Sequence, residues 1–113
     1  MSKIDKRKLI DIEHGLDDVL KSKDGVLVLF YASWCQFSAR FLPIYEKHAQ
    51  DKAQNCVRVK IDDKASLMEK YSIEVVPTVL LFKNGTVAKR LDGVAGVGLN
   101  EKQLKDLINL LTR

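Results

Sequence analysis

The chain has 113 residues, a mass of 12.8 kDa and a formal net charge of +4, a size that suits one domain over residues 1–113, long enough for its own core. Hydrophobic residues at 46% and charged residues at 30% are those of a soluble globular protein, and the longest apolar stretch, Val26 to Ala32, is far short of the ~20 residues needed to span a bilayer. The 19 basic residues are scattered among 15 acids, and only Lys6-Arg7-Lys8 cluster, which argues against a nucleic-acid surface.

The N-terminus, Met1 to Lys8, is charged and leads into no apolar signal core, so a cytoplasmic location is expected. Leu9-Ile10-Asp11-Ile12 reads as a short edge strand, and Leu16 to Lys21 as a helical stretch ending at the turn signal Lys23-Asp24-Gly25. Val26-Leu27-Val28-Leu29-Phe30-Tyr31 is apolar without alternation, the pattern of a strand covered on both faces. Beyond Ser38 the apolar residues fall at helical spacing to about Lys52, and Pro43 predicts a kink by removing an amide donor. A strand over Val57–Ile61, parallel to the first through the helical crossover, and a helix near Ala65–Tyr71 come next.

Val79-Leu80-Leu81-Phe82 and Thr86–Leu91 flank Lys83-Asn84-Gly85, and an Asn-Gly pair between apolar runs signals a hairpin. The last helix is expected to start at Asn100, with Gln103 as its capping-box partner and Leu104, Leu107, Ile108 and Leu111 on one stripe. The segment Gly93-Val94-Ala95-Gly96-Val97-Gly98 lacks the spacing of a nucleotide-binding loop. His14 and His48 have no Cys or carboxylate at ligand spacing and read as surface residues, so no metal is expected.

Trp34-Cys35-Gln36-Phe37-Ser38 carries the chemistry. Cys35 sits at a strand-to-helix junction, among unpaired backbone N–H groups and near the positive end of a helix dipole. Both features favour the thiolate, the nucleophilic form. The alternative at this point is a free cysteine packed as a small hydrophobe. Cys56, the second of two cysteines, opens the next parallel strand at its opposite pole. That is on the order of 15–20 Å from Cys35, whereas a disulfide needs Cα atoms within roughly 7 Å. Two cysteines suit a reducing compartment rather than a disulfide-stapled scaffold.

The segments Val26–Cys35 (VLVLFYASWC), Pro43 eight residues after Cys35, Lys70–Thr78 (KYSIEVVPT), Phe82–Gly85 (FKNG), Gly93 and the closing amphipathic helix together resemble the thioredoxin family. The likeness runs from about Leu9 to Leu111. It implies an α/β, thioredoxin-like fold: a mixed central sheet of about five strands with helices on both faces. It also implies a cis Pro77 beside the reactive cysteine, with backbone hydrogen bonds from Val76 to an extended substrate. Trp34 and Gly93 then complete the substrate groove.

Two positions depart from the family pattern. Ser38 replaces the second cysteine of Cys-x-x-Cys, so a mixed disulfide on Cys35 must be resolved by an external thiol. Its hydroxyl is still able to hydrogen-bond the Cys35 sulfur. Leu29 stands where the family carries a buried aspartate thought to handle the resolving thiol's proton, and Arg58 aligns with a nearby lysine. The expected function is thiol–disulfide exchange through one nucleophilic cysteine, Cys35, with Ser38 as its partner, no cofactor and a monomeric state. The expected partners are disulfide-containing or thiol-adducted proteins, with a low-molecular-weight thiol or another redoxin as reductant. Rival readings are a monothiol glutaredoxin-like protein holding an iron–sulfur cluster with glutathione, a non-catalytic binding or chaperone module, and a dithiol thioredoxin whose second cysteine was replaced at position 38.

Overall fold

In a computed structural model, residues 10–11, 16–22, 24–49 and 56–111 are described. In chain order they form β1 (Ile10–Asp11), α1 (Leu16–Ser22), β2 (Gly25–Tyr31), α2 (Gln36–Ala49), β3 (Cys56–Lys60), α3 (Ala65–Lys70), β4 (Thr78–Lys83), β5 (Thr86–Leu91) and α4 (Glu101–Leu111). Leu9, Ile12, His14 and the expected helix end near Lys52 lie outside the described residues.

β2 is the central strand. It pairs in parallel with β3 on one side, Leu29 opposite Arg58, and antiparallel with β4 on the other, Leu29 opposite Val79. The sheet order is β1-β3-β2-β4-β5, so it is mixed: four strands of five to seven residues form its body, and the two-residue β1 lies on the outer edge of β3. Every residue of β2 is buried. Successive side chains of a strand point to opposite faces, and the unbroken apolar run therefore feeds two cores.

Val26, Val28 and Phe30 pack with Leu16 and Leu20 of α1, Ile73, Leu80 and Phe82, with Leu67 and Met68 of α3 against them. Leu27, Leu29 and Tyr31 pack with Phe41 and Tyr45 of α2 and with Leu104, Leu107 and Ile108 of α4. Each fully buried side chain of this kind contributes roughly 1.5–3 kcal/mol of hydrophobic stabilisation. The Tyr45 hydroxyl reaches through the second core to the Val57 carbonyl at 2.8 Å and the Leu27 carbonyl at 3.1 Å, bridging β3 and β2. Burial pushes its pKa up, since a phenolate there loses its hydration.

Local chemistry sets the element ends. Asn84 and Gly85 both take positive φ, 53° and 85°, as a two-residue hairpin turn requires. At α4 the capping box forms in both directions: the Gln103 N–H donates to Asn100 Oδ1 at 2.9 Å, and the Asn100 N–H donates to Gln103 Oε1 at 3.0 Å. Pro43 lies within α2. Among the described residues no helix is long and apolar enough to cross a membrane.

Candidate active site

The site lies where the C-terminal end of β2 passes into α2. Tyr31 ends the strand, Ala32–Trp34 turn, and the Cys35 carbonyl accepts the Ala39 N–H at 3.0 Å, making Cys35 the cap residue of α2. The turn is held from outside by Asp62, in the segment after β3. Its carboxylate accepts the Ser33 N–H at 3.0 Å and also the Ser33 hydroxyl. These Ser33 hydrogen bonds, the hydroxyl one first, keep the Asp62 carboxyl below its ordinary pKa. Asp62 was not legible as part of the site, because its partner is 29 residues away in the chain.

Cys35 is half-buried, and its thiol points at the Val76 carbonyl, 3.7 Å away. The Val76–Pro77 bond is cis. Behind it, the Thr78 hydroxyl donates to the Val75 carbonyl at 2.5 Å and accepts the Gly93 N–H at 3.4 Å. Gly93 is buried and lies so close to Pro77 that a Cβ there would overlap the Pro77 carbonyl oxygen. Cys35 thus meets Val76, and Gly93 meets the adjoining Pro77, so segments far apart in sequence are joined at the site. Trp34 projects outward, 71% exposed.

Ser38 has a partner that the sequence did not announce. Its side chain is buried, and its oxygen accepts the Ala32 N–H at 3.2 Å, which leaves its own proton free to donate. The turn from Ala32 to Trp34 leaves that amide without a strand partner, and Ser38, two residues into α2, is the acceptor that reaches it. His48 is also not the plain surface residue expected. It is half-buried at the end of α2 and in hydrogen-bond contact with Glu101 in the first turn of α4, where Lys47 adds an ion pair at 3.1 Å. His48 first, then Lys47, holds the Glu101 carboxyl below its ordinary pKa.

The loop after Gly93 closes on itself. Val94 and Gly98 exchange backbone hydrogen bonds at 3.2 and 2.8 Å, and the Val97 N–H adds a third to Val94 at 2.9 Å. Gly96 and Gly98 adopt φ of +78° and +84°, and Gly98 abuts Phe37 in the first turn of α2. Among the described residues the exposed large hydrophobics are Trp34, Val94 and Val97.

Leu29 is fully buried in the α2/α4 core. Arg58, its register partner, ion-pairs with Glu46 of α2 at 2.5 Å and lies over the Tyr31 ring. The Arg58 guanidinium is therefore engaged by the Glu46 carboxylate. Among the described residues no group of three or more His, Cys, Asp or Glu is arranged to hold a metal ion.

Cys56 has no exposed surface and begins β3, opposite Leu27 near the start of β2, whereas Cys35 follows that strand's other end. Iodoacetamide is therefore expected to modify Cys35 at least ~100-fold faster than Cys56 in the native state, since the buried thiol reacts only on opening. Peptide mapping after timed alkylation reads this, and equal rates at the two positions would refute the assignment.

A family model described as Thioredoxin matches residues 11–109. The chain is 38% identical over 89 residues to "Endoplasmic reticulum resident protein 44" of Bos taurus, covering 72% of this chain and 22% of that relative. It therefore spans about a fifth of the length of this relative. It is 37% identical over 94 residues to a thioredoxin of Buchnera aphidicola, covering 81% of this chain and 83% of that one. Among solved structures, a mutant thioredoxin from Halobacterium salinarum superimposes with a TM-score of 0.81 at 29% identity, over 96% of this chain and 94% of that one.

Proposed function

Because the chain belongs to the thioredoxin family, we propose that it carries out thiol–disulfide exchange through a single nucleophilic sulfur, that of Cys35. One observation carries the reading. Cys35 is accessible at the start of α2 with its sulfur 3.7 Å from the Val76 carbonyl, while the chain's other cysteine is sealed in the core.

In this mechanism the Cys35 thiolate attacks one sulfur of a client disulfide. A Cys35–client disulfide forms, the old disulfide breaks, and the departing sulfur leaves as a thiolate that takes a proton from water. A second thiolate then attacks the mixed disulfide and restores Cys35. When that thiol belongs to the client, the outcome is isomerisation. When the client carries a small-thiol adduct, Cys35 instead attacks the adduct's small-thiol sulfur, the client leaves as a free thiolate, and a second small thiol releases Cys35 as one oxidised small-thiol disulfide.

Ser38 does not perform the second attack, because its hydroxyl is far too weak an acid. Having accepted the Ala32 amide, it keeps its own proton, and that proton serves Cys35 once the thiolate forms. Val76 supplies backbone hydrogen bonds to an extended client, with Trp34, Pro77 and Gly93 shaping the groove. The protein acts as a monomer in the cytoplasm, without a cofactor, and draws on a low-molecular-weight thiol or another redoxin as reductant.

A glutathionylated peptide with excess free thiol should be turned over, and Cys35→Ala should abolish the turnover. Insulin reduction by dithiothreitol should be accelerated little beside a Cys-x-x-Cys thioredoxin. Strong insulin reduction surviving Cys56→Ser would overturn the monothiol reading. The exposed apolar trio Trp34, Val94 and Val97 favours a second reading, client binding without turnover, and client binding with no exchange in the peptide assay would select it.

A further inference from the structure

Beside the Val75–Val76 segment lies a cavity of about 370 Å³, lined by Ser72, Glu74, Val75, Arg90, Asp92 and Gly93. It is formed where the chain leaving α3 passes the end of β5. Two of its lining residues adjoin the site already described. Val75 precedes the residue whose carbonyl faces Cys35, and Gly93 packs against Pro77.

The charges in this cavity are not equivalent. Arg90 is committed: it donates to the Tyr71 carbonyl at 2.8 Å, to the Ser72 carbonyl at 3.1 Å, and twice to Asp92, at 3.1 and 2.8 Å. Such a two-pronged contact is the strong form of an arginine–carboxylate pair. The Arg90 pKa is raised first by the Asp92 hydrogen bond, and Glu74 adds only a smaller through-space attraction. Among the described residues Glu74 has no ion pair of its own. With Arg90 matched by Asp92, the cavity carries one negative charge in excess, held by an exposed side chain at its wall.

We infer that this cavity is a recognition subsite for a cationic side chain, lysine or arginine, on the client segment presented to Cys35. A strand advances ~3.3 Å per residue, and alternate side chains share a face. A client extended along Val75–Val76 with its disulfide at Cys35 thus brings a side chain about two residues from its own cysteine to Glu74. The cavity has room for a long basic side chain, whose stem runs along Val75 and Gly93 while its charged end stays wet. A client with an acidic residue there meets the excess negative charge and is disfavoured.

The inference rests on the proposed exchange at Cys35, and the test separates the two. Synthetic peptides carrying one cysteine as an activated aromatic disulfide would bear lysine, norleucine or glutamate at each position from one to three residues on either side. Their rates of mixed-disulfide formation would be measured on the native chain, Glu74→Gln and Glu74→Lys. At low salt, lysine at one position should react about two- to fivefold faster than norleucine, the scale of an exposed ion pair. The advantage should vanish in Glu74→Gln, reverse toward glutamate in Glu74→Lys, and fade in high salt, while a small neutral disulfide reacts equally with all three proteins. Equal lysine and norleucine rates at every position, or an advantage retained in Glu74→Gln, would overturn the subsite. Should no peptide react at all, the exchange reading fails. The subsite is then read from the affinity of disulfide-free, fluorescently tagged peptides for Cys35→Ser, with the same lysine preference expected and its absence decisive.

Discussion

Gly93→Ala should lower the stability of this protein by about 3 kcal/mol, the upper end of what an added methyl costs in a packed site. The new carbon has nowhere to go. It overlaps the Pro77 carbonyl oxygen, and the clash is with backbone rather than with a flexible side chain that can turn aside. The strain must be relieved by separating the end of β5 from the segment Val75–Pro77. That separation moves the Val76 carbonyl relative to the Cys35 sulfur, and it loosens the contact of the Gly93 N–H with the Thr78 hydroxyl. Exchange at Cys35 should fall by about tenfold or more, since sub-ångström misplacement of reacting groups is costly. Gly96→Ala is the matched control. Gly96 has positive φ but nothing within 4 Å of the added carbon, so it should cost only ~1 kcal/mol and leave exchange intact. Denaturant melts and mixed-disulfide rates on both variants decide the point. If Gly93→Ala melts like Gly96→Ala, the close approach of β5 to Pro77 does not constrain the site.

The second large effect is expected at Leu29. Leu29→Asp should cost about 4 kcal/mol at neutral pH, combining lost packing with a carboxylate taken out of water. Arg58 offers little relief, because its guanidinium is already engaged by Glu46 and the Tyr31 ring. Burial raises the pKa of the new carboxyl above its unfolded value of ~3.9. The folded state then binds the proton more tightly than the unfolded state, so the penalty is smallest below that unfolded value. It grows as pH rises toward the folded pKa and levels off above it. The difference in stability between the native chain and Leu29→Asp, followed against pH, should show that slope; a flat difference would mean the carboxyl escapes to solvent.

Ser38→Cys supplies the other missing piece. The two sulfurs would stand three residues apart at the start of α2, close enough to bond, and insulin reductase activity should rise from near zero. Combining the two substitutions should raise the rate further, at the stability cost of Leu29→Asp. If the double variant folds and is no faster than Ser38→Cys at any pH, position 29 plays no part in proton handling.

What could be read from the residues alone was local or periodic. The unbroken apolar run of β2 announced burial on both faces, because the alternation that marks a half-exposed strand is missing. Asn84-Gly85 and the Asn100/Gln103 pair carry their geometry within a few residues, and each formed its turn or cap. Spacing alone would not have joined Cys35, Val76 and Gly93; the resemblance of whole segments did. What was missed shares one cause. That the Ser38 oxygen takes the amide of Ala32 was not legible, because this acceptor choice is set by the path of the turn. His48 and Glu101 are 53 residues apart, and Ser33 and Asp62 are 29 apart. Such pairs are created by packing α2 against α4, or the turn against the loop after β3, and no pattern within either segment reports them.

The loop from Val94 to Gly98 is closed by three backbone hydrogen bonds among Val94, Val97 and Gly98 that call on no other element. Its two valines point into water and take no share in either core. Replacing them therefore carries almost no thermodynamic penalty, since surface changes away from caps and cores fall within about 0.5 kcal/mol. A lineage carrying this chain is free to rewrite the outline of its rim while the scaffold beneath stays under strict selection, so diversification of descendants should concentrate at Val94 and Val97, with Gly96 and Gly98 held by their positive φ.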